Sequence, residues 1–316
     1  MAVYTHLGAE DLARLIREYD VGELVSAKGI AEGVSNSNWL VETTGGRFIL
    51  TMYERRIEIA DLPFFLGLLD HLAANGCAVP ATIHDRSGAA YREIDGKAVA
   101  LIEFLSGVSP TRPTPEQAEA VGAALARVHL AARDFPGERT NDLAPPDTLR
   151  ILERCGEAAL STIDPRLPAI LPRARDLVAD WPEGLPRSII HSDLFPDNVL
   201  MLEGEVSGMI DFYFACSDAM AYDLAVTHAA WCFPGGQFDG RLGHALMAGY
   251  ESVRELDAIE REALPLLAQG ACLRFVASRA EDWLETPADA QVQRKDPMDF
   301  VRRWDFYAER RHEAFA

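Results

Sequence analysis

A short segment of the chain combines residue types that are suited to phosphoryl transfer. Residues 191–198 read His-Ser-Asp-Leu-Phe-Pro-Asp-Asn, so that Asp193 follows His191 by two positions and precedes Asn198 by five. At this spacing an aspartate can orient an attacking hydroxyl and accept its proton, while the asparagine side-chain oxygen is a ligand for Mg²⁺. We therefore expect Asp193 to act as the catalytic base and Asn198 as a metal ligand.

A second acidic residue follows where the same chemistry needs another metal ligand. Asp211 comes directly after the apolar run 206–210, which predicts a strand. If the preceding turn is centred on Gly204-Glu205, Asn198 and Asp211 face each other across an antiparallel pair, with Cβ atoms about 5 Å apart. The two side chains would then reach one or two shared Mg²⁺ ions. The alternative is that these polar residues only cap turns.

The surrounding patterns predict an α+β fold with two lobes. An N-terminal nucleotide-binding lobe, residues 1–104, carries a five-stranded antiparallel sheet, and a larger, mainly helical C-terminal lobe, residues 105–316, carries catalysis and substrate binding. The predicted strands of the first lobe are 24–28, 37–43, 47–53, 90–94 and 98–104. The predicted helices are 9–19, 62–74, 117–132, 148–160, 166–181, 223–231, 241–253 and 258–284.

Small and amide residues cluster between the first two predicted strands. Their backbone N–H and side-chain groups could hydrogen-bond to phosphate oxygens. An ordinary hairpin turn is the alternative. The candidate phosphate-binding residues are Gly33, Ser35, Asn36, Ser37 and Asn38.

The connection between the two lobes is the candidate site for a purine. Its backbone at Glu103 and Leu105 can pair with the edge of adenine. The candidate apolar walls are Ile49, Leu101 and Val199.

The charge balance excludes several classes of partner. Lys and Arg total 30 against 49 Asp and Glu, which gives a net charge of −19. Such a field repels nucleic acid and anionic membranes, and a nucleotide site must supply its own positive charge, most simply as Mg²⁺. The five cysteines form no C-x-x-C pair and no run of 18 apolar residues occurs, so we expect a cytoplasmic protein, monomeric or weakly dimeric.

Several segments together resemble the aminoglycoside phosphotransferase and choline kinase superfamily, and more closely its bacterial homoserine kinases. The resemblance implies a kinase-like fold and the ATP-dependent conversion of L-homoserine to O-phospho-L-homoserine, a step towards threonine. The segments that carry it are Lys28 to Gly33, Ser35 to Asn38, Asp61 to Phe65, His191 to Val199, Ile210 to Ala215, Tyr222 to Ala225, Ala230 to Phe233 and Asp282 to Leu284.

The resemblance also assigns roles by position. It makes Asp193 the base, Asn198 and Asp211 the metal ligands, and Asp223 the residue that supports the backbone of the catalytic loop. His191 would orient the same loop, although a purely structural buried histidine is an equal alternative.

One departure concerns the ion pair that binds nucleotide phosphates in such kinases. The lysine expected on the third strand is Thr51, and the glutamate expected on the following helix aligns near Phe65. The absence of both the lysine and the glutamate makes physical sense, because either residue without the other would leave an unpaired charge. Arg55 or Arg56 could substitute for the lysine.

The C-terminal part suggests how an amino-acid substrate is recognised. Its many arginines suit a carboxylate better than the polycationic aminoglycosides, although an antibiotic or other small-alcohol kinase, or an inactive nucleotide-binding module, remains an alternative. On the helix 258–284, Arg279 could bind the carboxylate, Asp282 the ammonium group and Trp283 the apolar stem. Arg274 is the rival donor.

Overall fold

The chain forms an N-terminal antiparallel sheet with flanking helices, followed by a mainly helical C-terminal part. The computed structural model describes residues 7–30, 36–54, 57–286 and 294–315. The predicted α+β class is confirmed. No helix in these ranges is long and apolar enough to cross a membrane. The predicted boundary after residue 104 follows the last strand of the sheet and stays a prediction.

The N-terminal sheet has six strands rather than the predicted five. The order is β1-β2-β3-β6-β4, and β5 also pairs with β6, with every pairing antiparallel. The strands are β1 (Leu24–Ile30), β2 (Asn36–Thr43), β3 (Gly46–Tyr53), β4 (Thr82–Ile83), β5 (Arg92–Ile94) and β6 (Lys97–Glu103). The missed strand β4 has only two residues, too few for an alternating pattern to appear in the sequence.

Alternation along β3 divides its side chains between two helices. Leu50 and Met52 pack under α1 (Ala9–Ile16), whereas Tyr53 packs with residues of α2 (Leu62–Ala74). Because successive strand residues point to opposite faces, Thr51 shares the α2 face with Tyr53. The C-terminal part contacts this face of the sheet through Tyr213, whose ring packs against the ring of Tyr53.

The C-terminal part is built around two long buried helices. The longest, α9, spans 28 residues and begins with a capping box at Asp257 and Glu260. Helix α7 is buried along nearly its whole length. The helices are α3 (Pro115–Ala131), α4 (Pro145–Cys155), α5 (Glu157–Ile163), α6 (Ile170–Ala179), α7 (Met220–Trp231), α8 (Gly240–Glu251), α9 (Ala258–Glu285), α10 (Met298–Glu309) and α11 (Arg311–Ala314).

Two details differ from the sequence prediction. The helix predicted over 148–160 is broken at Gly156, whose φ of 79° is a left-handed conformation that glycine adopts readily. Helix α10 was not predicted.

Four short strands form two antiparallel pairs: β7 (Arg187–Ile190) with β10 (Cys216–Ala219), and β8 (Val199–Leu202) with β9 (Glu205–Met209).

Helices α3 and α8 approach each other closely at two glycines. A Cβ atom on Gly249 would lie 1.9 Å from the Glu119 carbonyl oxygen, and one on Gly122 would lie 2.1 Å from the Leu246 carbonyl oxygen. Both neighbours are helix backbone, which cannot move without displacing the helix. The crossing therefore depends on glycine at these positions.

We predict that Gly249→Ala lowers the free energy of unfolding by about 1–3 kcal/mol, because its methyl group would overlap the α3 backbone. Gly240→Ala on the same helix is the matched control, since the nearest atom to a Cβ there lies 3.6 Å away. Urea unfolding of both variants measures the difference. Equal stability of Gly249→Ala and the parent protein would contradict this account of the crossing.

Candidate active site

The segment 191–198 forms the connection between β7 and β8. Its backbone is folded by internal hydrogen bonds: the Asp193 N–H donates to His191 Nδ1 at 3.2 Å, and Asn198 Nδ2 donates to the Asp193 carbonyl oxygen at 2.8 Å. The second bond turns the amide nitrogen of Asn198 inward and leaves its Oδ1 for another partner. We call residues 191–198 the catalytic loop.

Asp223 on α7 fixes the start of the catalytic loop. Its two carboxylate oxygens accept hydrogen bonds from the backbone N–H groups of His191 and Ser192, both at 2.7 Å. His129 Nε2 lies 2.9 Å from the same carboxylate. Burial alone would raise the pKa of Asp223, but these hydrogen bonds and the neighbouring histidines outweigh it and lower the pKa. This placement matches the predicted supporting role.

His191 connects the catalytic loop to the strand pair that follows. Since its Nδ1 accepts from Asp193, its Nε2 carries the proton and donates to the Ile210 carbonyl oxygen at 3.0 Å. Its ring also packs on Phe212, with centroids 4.4 Å apart. Burial lowers the pKa of His191, so the ring is neutral. Both contacts are with residues that flank Asp211.

The predicted register between Asn198 and Asp211 is wrong. Leu202 pairs with Glu205, so the turn is centred on Glu203-Gly204, one residue earlier than predicted, and a bulge then adds one residue, Ser207, to β9. Beyond the bulge the Ile210 N–H donates to the Asn198 carbonyl oxygen at 3.0 Å. Asp211 therefore lies one residue past Asn198's partner, at the end of the ladder.

Asp211 adopts the left-handed conformation, with φ 66° and ψ 52°. Burial and the nearby carboxylates of Asp193 and Asp197 raise its pKa to about 7. Acidic groups placed this close favour a cation between them. No three His, Cys, Asp or Glu side chains within the described ranges converge as a self-sufficient metal site. One carboxylate and one amide oxygen nevertheless fit Mg²⁺, which usually takes its remaining ligands from substrate phosphates and water.

Two residues that the motif analysis did not connect to the catalytic loop contact it directly. Arg274 donates from Nη1 to Ser192 Oγ at 2.7 Å and from Nη2 to Asp193 Oδ1 at 3.2 Å. Trp231 Nε1 donates to the Leu194 carbonyl oxygen at 2.9 Å. Burial raises the pKa of Asp193, and Arg274 opposes this shift. In the sequence, Arg274 stood out only as the rival donor on the predicted helix 258–284. Trp231 stood out only as part of the segment from Ala230 to Phe233.

The candidate phosphate-binding residues divide between two faces of β2. Asn36 and Asn38 lie on the α2 face, where Asn38 Oδ1 accepts from Thr51 Oγ1 at 2.9 Å. Ser37 lies on the opposite face and donates to Glu54 at 2.7 Å. Any phosphate contact from Ser37 would thus come from its backbone. Gly33 and Ser35 lie outside the described residues.

Aromatic side chains surround the position where a third-strand lysine was expected. Thr51 is buried on the α2 face, where the Tyr53 and Tyr213 hydroxyls lie 3.2 Å apart. Phe65 of α2 packs edge-on against Tyr213, with ring centroids 5.9 Å apart. Rings therefore connect the sheet, α2 and the segment after Asp211. On the other face of the sheet, Lys97 forms an ion pair with Glu54.

The candidate purine site keeps one free backbone donor. The Glu103 N–H donates to Ala81 at 2.9 Å, and no described residue accepts the N–H of Leu105. The Leu105 side chain packs against Gly208, where a Cβ atom would lie 2.7 Å from Leu105 Cδ1. Of the predicted apolar walls, Leu101 packs instead in the cluster under α1.

The proposed substrate residues on α9 do not form one contact group. Arg279 Nη1 donates to the Asp296 carbonyl oxygen at 2.9 Å and lies 3.4 Å from Asp299 Oδ2. The Arg294 guanidinium lies over the Trp283 ring, 5.5 Å from the ring centroid. Asp282 is exposed. Arg279 and Trp283 thus face residues 294–300.

We predict that Thr51→Lys does not lower KM for ATP and lowers the free energy of unfolding. The ammonium group would enter a site where Thr51 is 3% exposed and aromatic rings are the neighbours, and burying an unpaired charge is costly. Thr51→Val is the matched control without a charge. Steady-state kinetics and urea unfolding test both variants, and a clear decrease in KM for ATP in Thr51→Lys would contradict the prediction.

Solved structures of low sequence identity share this fold. The structure of amicoumacin kinase hAmiN in complex with AMP-PNP, Ca²⁺ and Ami has a TM-score of 0.72 at 14% identity, covering 96% of this chain and 94% of that chain. Spectinomycin phosphotransferase APH(9)-Ia in complex with ADP and spectinomycin has a TM-score of 0.70 at 15% identity, covering 99% of both chains. At such identity the likeness concerns the fold alone.

Sequence comparison gives much closer relatives. The homoserine kinase of Nitrobacter winogradskyi is 49% identical over 97% of this chain and 94% of its own length. The homoserine kinase of Xanthobacter autotrophicus is 47% identical over 97% and 96%. The model of the "phosphotransferase enzyme family" matches residues 26–256. The chain belongs to this phosphotransferase family and, within it, to the homoserine kinases.

Proposed function

We propose that this kinase transfers the γ-phosphoryl group of ATP to the side-chain hydroxyl of L-homoserine, which gives ADP and O-phospho-L-homoserine on the way to threonine. The observation that carries the proposal is the close relation to homoserine kinases along nearly the whole chain. The surroundings of Asp193 agree with a small substrate that carries a carboxylate.

In the proposed reaction Asp193 receives the substrate hydroxyl. Its side chain is 19% exposed, so a substrate can reach a carboxylate oxygen although most of the residue is covered. It orients the hydroxyl towards the γ-phosphorus and accepts its proton as the new O–P bond forms. The bond between the γ-phosphorus and the bridging oxygen breaks, and ADP leaves.

Asn198 Oδ1 and Asp211 are proposed to hold Mg²⁺ beside the phosphates. Bound there, the ion would neutralise phosphate charge that the acidic protein otherwise repels. The amide nitrogens of Asn36 and Asn38, at the start of β2, would contact phosphate oxygens from the sheet side, and the free Leu105 N–H would bind the purine edge.

Positive charges around Asp193 favour a substrate with a carboxylate. Lys295 lies close enough for its charge to lower the pKa of Asp193. Arg279 stacks on Phe300 at 4.6 Å, and the Phe300 ring lies 6.2 Å from that of Phe195 in the catalytic loop. A polycationic antibiotic would be repelled by these groups. We therefore propose that Arg279 binds the substrate carboxylate. The binding of the ammonium group by Asp282 and of the stem by Trp283 stays a prediction.

The proposal extends to the setting of the enzyme. We propose a cytoplasmic monomer or weak homodimer that needs only ATP, Mg²⁺ and L-homoserine. Support comes from the net charge of −19 and from five cysteines without a paired motif.

A substrate panel tests the activity. Purified protein is assayed for ADP release with L-homoserine, L-serine, the carboxylate-free alcohol 3-aminopropanol and an aminoglycoside, each with and without Mg²⁺, and the product is identified by ³¹P NMR. We expect L-homoserine to be preferred and Mg²⁺ to be required. Preference for either carboxylate-free substrate would overturn the proposal.

Asp193→Asn should retain ATP binding and lose about 10²–10⁴-fold in kcat, because an amide cannot accept the hydroxyl proton. Asp180→Asn is the matched control, since Asp180 is an exposed carboxylate at the end of α6. Turnover and nucleotide binding are measured separately for both variants. Near-normal kcat in Asp193→Asn would exclude its role as the base.

Arg279→Lys should raise KM for L-homoserine far more than KM for ATP, because an ammonium group cannot replace the two-pronged guanidinium. Both described hydrogen bonds of Arg279 use Nη1, which leaves Nη2 and Nε for a ligand. Arg302→Lys is the matched control, since Arg302 also pairs with Asp299 but is exposed. Equal changes in both KM values would argue against carboxylate binding by Arg279.

A further inference from the structure

Arg274 is a buried cation between the two segments that carry the proposed active-site carboxylates. It lies in the middle of α9 and is 2% exposed. Its guanidinium contacts Ser192 and Asp193 in the catalytic loop and stacks on Phe214, three residues after Asp211, at 5.1 Å from the ring centroid. A single side chain therefore joins the loop of the proposed base to the segment of the proposed metal ligand.

The contacts of Arg274 use the fork of the guanidinium. Nη1 donates to Ser192 Oγ at 2.7 Å, while Nη2 donates to Asp193 Oδ1 at 3.2 Å. Two donors in one rigid plane define a direction as well as a distance. Arg274 gives the Asp193 side chain the hydrogen bond that the described residues show for it, whereas the bonds that fold the loop use the backbone N–H and carbonyl groups of Asp193.

We propose that Arg274 is a positioning residue for phosphoryl transfer: it holds Asp193 Oδ1 towards α9, so that Oδ2 faces the substrate hydroxyl. The inference rests on the proposed role of Asp193 as the base. The hydroxyl proton passes to Asp193, and Arg274 stays protonated throughout.

This assignment also separates Arg274 from substrate recognition. One N–H of each terminal nitrogen donates to the catalytic loop, and the rings of Phe214 and Phe275 lie beside the guanidinium. Because Arg274 is 2% exposed, a substrate carboxylate has little access to its remaining N–H groups. Arg274 therefore affects the rate of transfer and not the binding of either substrate.

Substitution of Arg274 tests this division. In Arg274→Met the side chain still fits between the two rings but cannot orient Asp193, and a misplaced catalytic group costs about 10²-fold in kcat. KM for ATP and for L-homoserine should change little. Arg274→Lys should recover part of kcat, since an ammonium group reaches only one of the two partners at a time. Ser192→Ala, which removes the other partner, should give a smaller loss of kcat with unchanged KM values.

A double-mutant cycle with Asp193→Asn distinguishes positioning from a general structural role. If Arg274 acts through Asp193, Arg274→Met should cost little further kcat once the base has been removed. A loss of the same factor in both backgrounds would overturn the proposal in favour of a structural role. A rise in KM for L-homoserine at unchanged kcat would overturn it in favour of direct carboxylate binding.

The control is Arg173→Met, which removes a comparable arginine far from the loop. Arg173 pairs with Asp305 at 2.7 Å and stacks on Trp304 at 5.0 Å, so that the variant also loses one ion pair and one ring contact. Its kcat should equal that of the parent protein. Should Arg274→Met fail to fold, the Lys and Ser192→Ala variants test the same prediction. The cycle can be run with any alcohol that is turned over, so failure with L-homoserine contradicts the proposed function alone.

Discussion

The arrangement of the site depends on one buried carboxylate. Asp223 accepts the backbone N–H groups of two successive residues, His191 and Ser192, and Ser192 has a φ of 68° that a non-glycine residue rarely adopts. Satisfying two adjacent donors with one charged acceptor offsets the cost of this conformation. The direction of the chain after Ser192, and with it the position of Asp193, follows from this contact.

The same contact relates the loop to the rest of the helical part. Asp223 lies in α7, His129 on α3 bonds to it, and Tyr250 on α8 bonds to His129 at 2.8 Å. The close approach of α3 and α8 at Gly122 and Gly249 sets the separation of these two helices. The packing of α3 and α8 thus determines the geometry of the catalytic loop, through a chain of buried polar groups that hydrogen-bond to one another.

Features set by local sequence were predictable, and those set by distant packing were not. The catalytic loop and α2 follow from a motif and from a periodic pattern, and α2 matches its predicted bounds of 62–74. The register of Asn198 and Asp211 failed because the turn is centred one residue earlier than predicted, which shifts the pairing by two positions, and the bulge at Ser207 restores only one of them. Arg274 was visible only as one arginine among many. Its partners, 81 and 82 positions away, required the fold.

The exchange of an ion pair for aromatic contacts has a consequence for regulation. In kinases that keep the lysine and glutamate, swinging the helix away breaks one salt bridge and switches the enzyme off. Here α2 is joined to the sheet and to the segment after Asp211 by Phe65 and Tyr213, and β4 is joined to it by Thr82 and Asp70. Displacing α2 would expose buried rings to water instead of separating two charges. We therefore expect α2 to resist the outward swing that the loss of one salt bridge permits in those kinases.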